Sequence, residues 1–115
     1  HEENYQINEK DFESILEAKE SQIDIYCVGT TSLRAIESAF LTGKLSSSTD
    51  YFIYPDTKIN IPDFLITNLH APKSSLLSIV DCIFGSSWKD LYKFALENQI
   101  KFLSFGDAVL FKVNE

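Results

Sequence analysis

Hydrophobic and polar residues follow one another along the chain in patterns that predict helices and short strands. Asn8 stands where it can cap a first helix, whose apolar residues recur at roughly helical spacing. They are Phe12, Ile15, Leu16 and Ile23. The continuous apolar run 25–28 is typical of a strand buried on both faces, and it ends at Gly29. The beginning of the chain is therefore predicted to form a helix, a strand and a turn.

The remainder of the chain continues this alternation. A second amphipathic helix is predicted between Gly29 and Gly43, and its apolar face comprises Leu33, Ile36 and Phe40. The polar stretch 46–49 is predicted to be a loop. Further strands are predicted at 51–54, 64–66, 101–105 and 109–111, and further helices after Ser74 and after Ser87. The face of the last helix is formed by Trp88, Leu91, Tyr92, Ala95 and Leu96. Strands that alternate with helices favour the α/β class.

Composition is that of a folded globular chain. The 115 residues are enough for one domain, or for part of one, with a buried core. A hydrophobic fraction of 44% and a charged fraction of 23% exclude an intrinsically disordered chain. The longest apolar run is far shorter than the roughly 18 residues that a membrane span requires. We therefore expect no segment that crosses a membrane.

Negative charge is concentrated near the beginning of the chain. The formal net charge is −7, and residues 1–24 carry eight acidic and two basic side chains. The remaining residues are nearly neutral, with nine acidic and eight basic side chains. General DNA binding requires a basic face, so the charge argues against it. RNA recruited by a small site is not excluded.

The two cysteines indicate a reducing environment. Cys27 and Cys82 lie in apolar surroundings and lack the spacing of metal ligands, so we expect buried free thiols and no metal site. Free thiols favour the cytoplasm. The chain begins at His1 and shows no charged segment followed by an apolar one, so no export signal is expected.

The first candidate site follows the strand 25–28. Gly29 permits a tight turn, and the hydroxyls of Thr30, Thr31 and Ser32 then meet the free N–H groups of a helix N-terminus. Arg34 lies in the first helical turn, where a cation is unfavourable for the helix dipole, and this suggests a bound anion. The alternative is that Thr30 or Thr31 only caps the helix and that Arg34 is solvated near Glu37.

Two further candidate sites lie at later junctions. Asn68, His70, Lys73 and Ser74 cluster between a strand and a helix, the usual ligand position in open α/β sheets. His70 could transfer a proton near neutral pH, or it could be a hydrogen-bonded loop residue beside a capping Ser74. At the third junction, Gly106 and Asp107 form either a turn or a site with a base or hydroxyl acceptor.

These motifs in this order resemble one family. They are Val-Gly-Thr-Thr-Ser-Leu-Arg at 28–34, Thr-Asp-Tyr-Phe-Ile-Tyr-Pro at 49–55, Phe-Leu-Ile-Thr-Asn-Leu-His-Ala-Pro-Lys-Ser-Ser-Leu-Leu at 64–77 and Phe-Gly-Asp-Ala at 105–108. Over about Tyr5 to Phe111 the chain resembles the S-adenosylmethionine:tRNA ribosyltransferase-isomerases of the queuosine pathway. It departs from the family pattern mainly at apolar positions, and Phe105 takes the place of a customary Tyr.

The resemblance implies an enzyme that acts on tRNA carrying 7-aminomethyl-7-deazaguanine at the wobble position. S-adenosylmethionine, as co-substrate, would donate its ribosyl unit to form epoxyqueuosine, with release of adenine and methionine. By position, His70 would transfer the proton and Asp107 would accept a hydrogen bond from a hydroxyl or amine group. The remaining residues carried over as substrate-binding are Thr30, Thr31, Ser32, Arg34, Asn68, Lys73, Ser74 and Gly106.

The resemblance also implies a larger protein. Family members have an α/β domain interrupted by an inserted β-barrel, and residues 1–115 resemble only the C-terminal part of that α/β domain. We expect this chain alone to be inactive. One alternative is a non-catalytic α/β module that binds a nucleotide or anion, and another is a fragment that self-associates through an exposed sheet edge. The oligomeric state is left open.

Overall fold

The computed structural model describes residues 3–49, 58–68, 88–100 and 107–113. Its helices are α1 (Glu9–Glu20), α2 (Thr30–Thr42) and α3 (Trp88–Glu97). Its strands are β1 (Glu3–Gln6), β2 (Tyr26–Val28), β3 (Ser46–Thr49), β4 (Phe64–Asn68) and β5 (Ala108–Lys112). The α/β class is confirmed. The strands predicted at 51–54 and 101–105 and the helix predicted after Ser74 lie outside the described residues.

Helix α1 begins as predicted and ends earlier than predicted. The Asn8 side chain accepts a hydrogen bond from the Lys10 N–H at 2.9 Å, which satisfies a donor of the first turn. At the other end, Gln22 has a φ of 59°, and the Ile23 N–H donates to the Ala18 carbonyl at 2.9 Å. This left-handed cap ends the helix and leaves Ile23 59% exposed, so its assignment to the buried face is wrong.

Within the described residues, three strands form the main sheet, in the order β2-β4-β5. Strand β4 pairs in parallel with β2 and antiparallel with β5, which places Leu65 beside both Cys27 and Phe111. These three side chains, Leu33 of α2 and the α3 residues Tyr92 and Ala95 belong to one buried cluster. Both helices thus contribute to the core on the same face of the sheet.

The stretch 46–49 is a strand, and its prediction as a loop is wrong. Strand β3 pairs antiparallel with β1, with Tyr5 opposite Ser47, and among the described strands these two form a sheet of their own. The Tyr5 hydroxyl donates to the Lys44 carbonyl at 2.8 Å, and the hydroxyls of Ser38 and Thr49 lie 2.8 Å apart. Serine and threonine residues carry little apolar signal, so the pairing partner and not the local pattern makes this segment a strand.

The prediction that β2 is buried on both faces is wrong as well. Cys27 is buried, whereas Tyr26 and Val28 on the opposite face are 54% and 67% exposed. Phe40 of α2 and Leu96 of α3, assigned to apolar faces, are also exposed. The described helices therefore leave several of the described apolar side chains exposed.

Burial changes the acid-base behaviour of Cys27. Loss of solvation and, secondarily, the charge of Glu37 raise the pKa of this thiol from 9.0 to about 11. Between these pH values the unfolded chain binds fewer protons than the folded one, so the free energy of unfolding falls as the pH rises. From pH 9 to pH 11 we expect the free energy of unfolding to fall by about 2 kcal/mol more than it falls in Cys27→Ala. Urea denaturation of both proteins at the two pH values measures this difference. Equal pH dependence in the two proteins would contradict this assignment.

Candidate functional site

A cleft of about 430 Å³ lies where the parallel strands β2 and β4 end. The start of α2 and the first residue of β5 complete it. Its lining residues are Val28, Gly29, Thr30, Thr31, Ser32, Ile66, Thr67, Asn68 and Ala108. Ligands of open α/β sheets commonly bind at this position, outside the carboxyl ends of the strands. The cleft therefore joins the first and second candidate junctions.

Gly29 shapes the floor of the cleft. Its φ of 89° and ψ of 151° belong to a backbone region that is open essentially to glycine alone. In this conformation the Gly29 N–H donates to the Ile66 carbonyl at 2.8 Å and extends the pairing of β2 with β4. The Gly29 carbonyl accepts the Leu33 N–H at 3.3 Å and starts the helix. Glycine is thus the residue that lets the chain pass from strand to helix within one position.

The helix N-terminus at the cleft has no side-chain cap. Gly29 occupies the N-cap position and no capping side-chain hydrogen bond is present, so the expectation that Thr30 or Thr31 caps the helix is wrong. The first N–H groups of any helix lack partners within it. In the part of the chain that the structure describes, those of Thr30, Thr31 and Ser32 have no side-chain cap, and such groups are suited to bind an anion or a polar oxygen atom.

The cleft is polar at the end of β4. Thr67 is buried and Asn68 is exposed, and Asn68 stands opposite Ala108 in the β4–β5 register. Thr67 was not predicted as a site residue, because it directly follows the predicted strand 64–66 and was assigned to a loop, whereas it is the fourth residue of β4. Its position directly before Asn68, at the carboxyl end of a strand, was the signal that could have indicated it.

Arg34 is paired with an acidic side chain and is largely buried. Its guanidinium forms an ion pair with the Glu3 carboxylate of β1, and its side chain is only 11% exposed. Glu37 is instead fully buried and accepts hydrogen bonds from Asn60 and Ile61. The idea that Arg34 is solvated near Glu37 is therefore wrong. Among the described residues Arg34 is not part of the cleft lining, and its ion pair connects β1 to α2, while its role in substrate binding stays a prediction.

The other predicted site residues divide into two groups. Asp107 is half-buried and lies directly before Ala108, which lines the cleft. The residues outside the described part of the chain are His70, Lys73, Ser74 and Gly106. Within the described ranges, no group of three or more His, Cys, Asp and Glu side chains is placed to hold a metal ion. Of the helices described, none has the length and apolar character of a membrane span.

Comparison with known proteins identifies the family. The model of the family described as "Queuosine biosynthesis protein" matches residues 1–111 of the chain. The chain belongs to this queuosine biosynthesis family. The resemblance that the order of its motifs indicated is therefore confirmed.

Relatives within the queuosine biosynthesis family are much longer than this chain. An S-adenosylmethionine:tRNA ribosyltransferase-isomerase from Vesicomyosocius okutanii is 42% identical over 118 residues, which cover 99% of this chain and 35% of the relative. A Rickettsia bellii protein of the same name is 46% identical over 101 residues, covering 84% of this chain and 28% of the relative. The chain thus spans about a third of these relatives' length.

A solved structure of the family has the same fold. S-adenosylmethionine tRNA ribosyltransferase from Thermotoga maritima superposes with a TM-score of 0.82 at 33% identity. The match covers 93% of this chain and 39% of the Thermotoga maritima chain. The α/β arrangement described above is therefore one part of a larger fold in that protein.

Proposed function

We propose that residues 1–115 form the C-terminal part of the α/β catalytic domain of an S-adenosylmethionine:tRNA ribosyltransferase-isomerase. One observation carries this proposal. The cleft at the ends of β2 and β4 is lined by Gly29–Ser32 and by Asn68, in a chain 42% identical to an enzyme of that name. Three of the four motifs that indicated the family contribute residues to the lining of this cleft. A tRNA substrate favours the cytoplasm as the place of action.

The proposed substrate is tRNA with 7-aminomethyl-7-deazaguanine at the wobble position, and S-adenosylmethionine is the co-substrate. The sulfonium group acidifies the neighbouring ribose carbon, so a base can remove its proton and leave an ylide. Adenine then departs, the aminomethyl nitrogen attacks the ribosyl unit, and the epoxide closes as methionine leaves. Such a sequence requires a proton carrier and donors that stabilise developing negative charge.

The described residues suit part of this chemistry. We propose that the N–H groups and hydroxyls of Thr30, Thr31 and Ser32 bind oxygen atoms of the co-substrate, as helix N-termini bind anions. The Asn68 amide, at the exposed end of β4, would hydrogen-bond a ribose hydroxyl or the adenine. Arg34, paired with Glu3, would hold β1 against α2 outside the cleft.

The remaining roles rest on the resemblance. His70 would carry the proton. Asp107, next to the cleft residue Ala108, would accept a hydrogen bond from a hydroxyl or amine group. Lys73 would bind the methionine carboxylate or an RNA phosphate. Ser74 would contribute to the second candidate junction and Gly106 to the third.

Adenine release tests the proposed function. The protein to use is a chimera in which residues 1–115 replace the corresponding part of the Vesicomyosocius okutanii relative, supplied with S-adenosylmethionine and an RNA hairpin bearing the aminomethyl-deazaguanine. We expect adenine to appear only with this hairpin, and not with the same hairpin bearing guanine. We expect no turnover from residues 1–115 alone, because they span about a third of the relative. A folded chimera that releases no adenine would contradict the proposal.

The second candidate, a non-catalytic nucleotide- or anion-binding module, is favoured by one observation. The uncapped N-terminus of α2 at the cleft is suited to bind an anion without any further catalytic group. Binding of S-adenosylmethionine to the folded chimera with no adenine release would support this candidate. Release that depends on the modified base would exclude it.

A further inference from the structure

One buried hydroxyl group at the cleft lacks a hydrogen-bond partner. Thr30 is only 8% exposed, and it belongs to the lining of the cleft. It precedes Leu33 by three residues and Glu37 by seven, and both are fully buried, so its side chain lies on the helix face that is turned toward the sheet. Among the described residues, no hydrogen bond joins the Thr30 hydroxyl to another group. Burying a hydroxyl without a partner is unfavourable, so this group points to a ligand atom bound in the cleft.

The backbone beside this hydroxyl offers donors and a positive potential. Helix α2 begins at Thr30 without a capping side chain, and its first turn contains no acidic residue. The N-terminus of a helix carries a partial positive charge, which the carboxylates of Glu9 and Asp11 balance in the first turn of α1. The start of α2 is therefore suited to a compact anion that accepts hydrogen bonds from N–H groups and from a hydroxyl.

The lining of the cleft distinguishes between two kinds of anion. None of the described residues that line it carries a charge, and the Arg34 guanidinium, one turn further along α2, is paired with Glu3. RNA phosphates are bound largely through lysine and arginine side chains, which this lining lacks. S-adenosylmethionine has one anionic group, its methionine carboxylate, whereas its ammonium and sulfonium groups are cations that the positive end of a helix repels. The site therefore favours a carboxylate over a phosphate.

We propose that the N-terminus of α2 and the Thr30 hydroxyl bind the methionine carboxylate of S-adenosylmethionine. This inference rests on the proposed function, because it takes S-adenosylmethionine as the co-substrate. The Thr30 hydroxyl and the N–H groups of Thr31 and Ser32 donate hydrogen bonds to the carboxylate oxygens. The orientation of the co-substrate follows, since its methionine end lies at α2 and its ribose or adenine is left for Asn68 at the end of β4.

Binding measurements with two ligands test this assignment. Isothermal titration calorimetry on the full-length chimera, without RNA, compares S-adenosylmethionine with its decarboxylated analogue, in which a hydrogen atom replaces the carboxylate. We expect the analogue to bind about 10- to 100-fold more weakly, the loss that follows from removing hydrogen bonds to a charged group. Thr30→Val removes the hydroxyl and nearly keeps the shape of the side chain. It should weaken the binding of S-adenosylmethionine about tenfold and that of the analogue less than about twofold.

Two further variants control for structural effects. Thr30→Ser keeps a hydroxyl and should retain the preference for S-adenosylmethionine over the analogue. Thr42→Val, at the other end of α2, should leave both affinities unchanged. Circular dichroism checks that the variants are folded like the parent chimera. The ratio of the two affinities within one protein does not depend on the fraction that is folded, so a merely structural effect of Thr30→Val would leave this ratio unchanged.

Three results would overturn the inference. Equal affinities of the parent chimera for the two ligands would show that the carboxylate is not recognised. A preference that persists in Thr30→Val and disappears in Lys73→Ala would assign the carboxylate to the second candidate junction. If Thr30→Val weakens the binding of the RNA hairpin and not that of S-adenosylmethionine, the anion bound at α2 is an RNA phosphate.

These outcomes are distinct from those that test the proposed function. A chimera that releases adenine but binds both ligands equally would support the proposed function and contradict the carboxylate site. A chimera whose binding depends on the carboxylate and on Thr30, but which releases no adenine, would do the reverse. A folded chimera that binds neither ligand would contradict both.

Discussion

Replacing Glu37 by alanine is expected to lower the free energy of unfolding by about 3 to 5 kcal/mol, which is a large fraction of the stability of a small domain. Glu37 has no exposed surface. One of its carboxylate oxygens accepts the backbone N–H of Asn60 at 2.8 Å and the Asn60 side-chain amide at 3.2 Å. The other accepts the Ile61 N–H at 2.9 Å. Alanine would leave the buried Ile61 N–H and the half-buried Asn60 donors without this acceptor and would also leave a cavity.

The carboxylate joins α2 to the segment that leads into β4. At the N-cap of the helix, the Gly29 N–H donates to the Ile66 carbonyl of β4. Helix α2 and strand β4 are thus connected at two places, and both elements line the cleft. Loss of the Glu37 contacts is therefore expected to loosen the packing of α2 against β4, the two elements on either side of the cleft.

Urea denaturation followed by circular dichroism measures this effect. Glu37→Gln should lose most of the same stability, since its NH₂ group replaces an acceptor with a donor that faces another N–H. Asn60→Ala should lose less, because the backbone N–H groups of both partners keep their acceptor. Glu13→Ala, an exposed glutamate on α1, is the matched control and should change stability by less than about 0.5 kcal/mol. A loss below about 1 kcal/mol in Glu37→Ala would contradict the structural role.

Replacing His70 by alanine in the full-length chimera is expected to reduce the rate of adenine release by about 10²- to 10⁴-fold. Imidazole changes its charge near neutral pH, which suits it to remove a proton from one substrate atom and return it to another. Because the side chain is proposed to act on the reacting atoms, the loss should fall on kcat and leave the KM for S-adenosylmethionine nearly unchanged. Single-turnover measurement of adenine separates this chemical step from product release.

The conservative variant His70→Gln tests the alternative role. Glutamine can replace a hydrogen bond but cannot carry a proton near neutral pH. If His70 only orders the loop by hydrogen bonding, His70→Gln should restore much of the turnover lost in His70→Ala. We expect it to remain as impaired as alanine. Circular dichroism of all three proteins checks that they are equally folded.

Short-range signals in the sequence were sufficient for many of the elements. The Asn8 cap, the helix ending at Gly43 and the strand near 64–66 are decided by a few neighbouring residues, because capping and backbone conformation are local. Residue types at the ends of strands also singled out the first junction and Asn68, which the structure brings together at one cleft. The order of the motifs was enough to indicate the family.

Contacts between residues distant in sequence decided the rest. A serine-rich stretch became β3 because β1 pairs with it, and Arg34 found its partner in Glu3, 31 residues away. Glu37 was unremarkable in the sequence, yet it is buried by donors 23 and 24 residues further along. Hydrophobic pattern predicts which residues can be buried, whereas the packing of other elements decides which of them are. For this reason Cys27 lies in the core while Tyr26 and Val28, in the same apolar run, remain exposed.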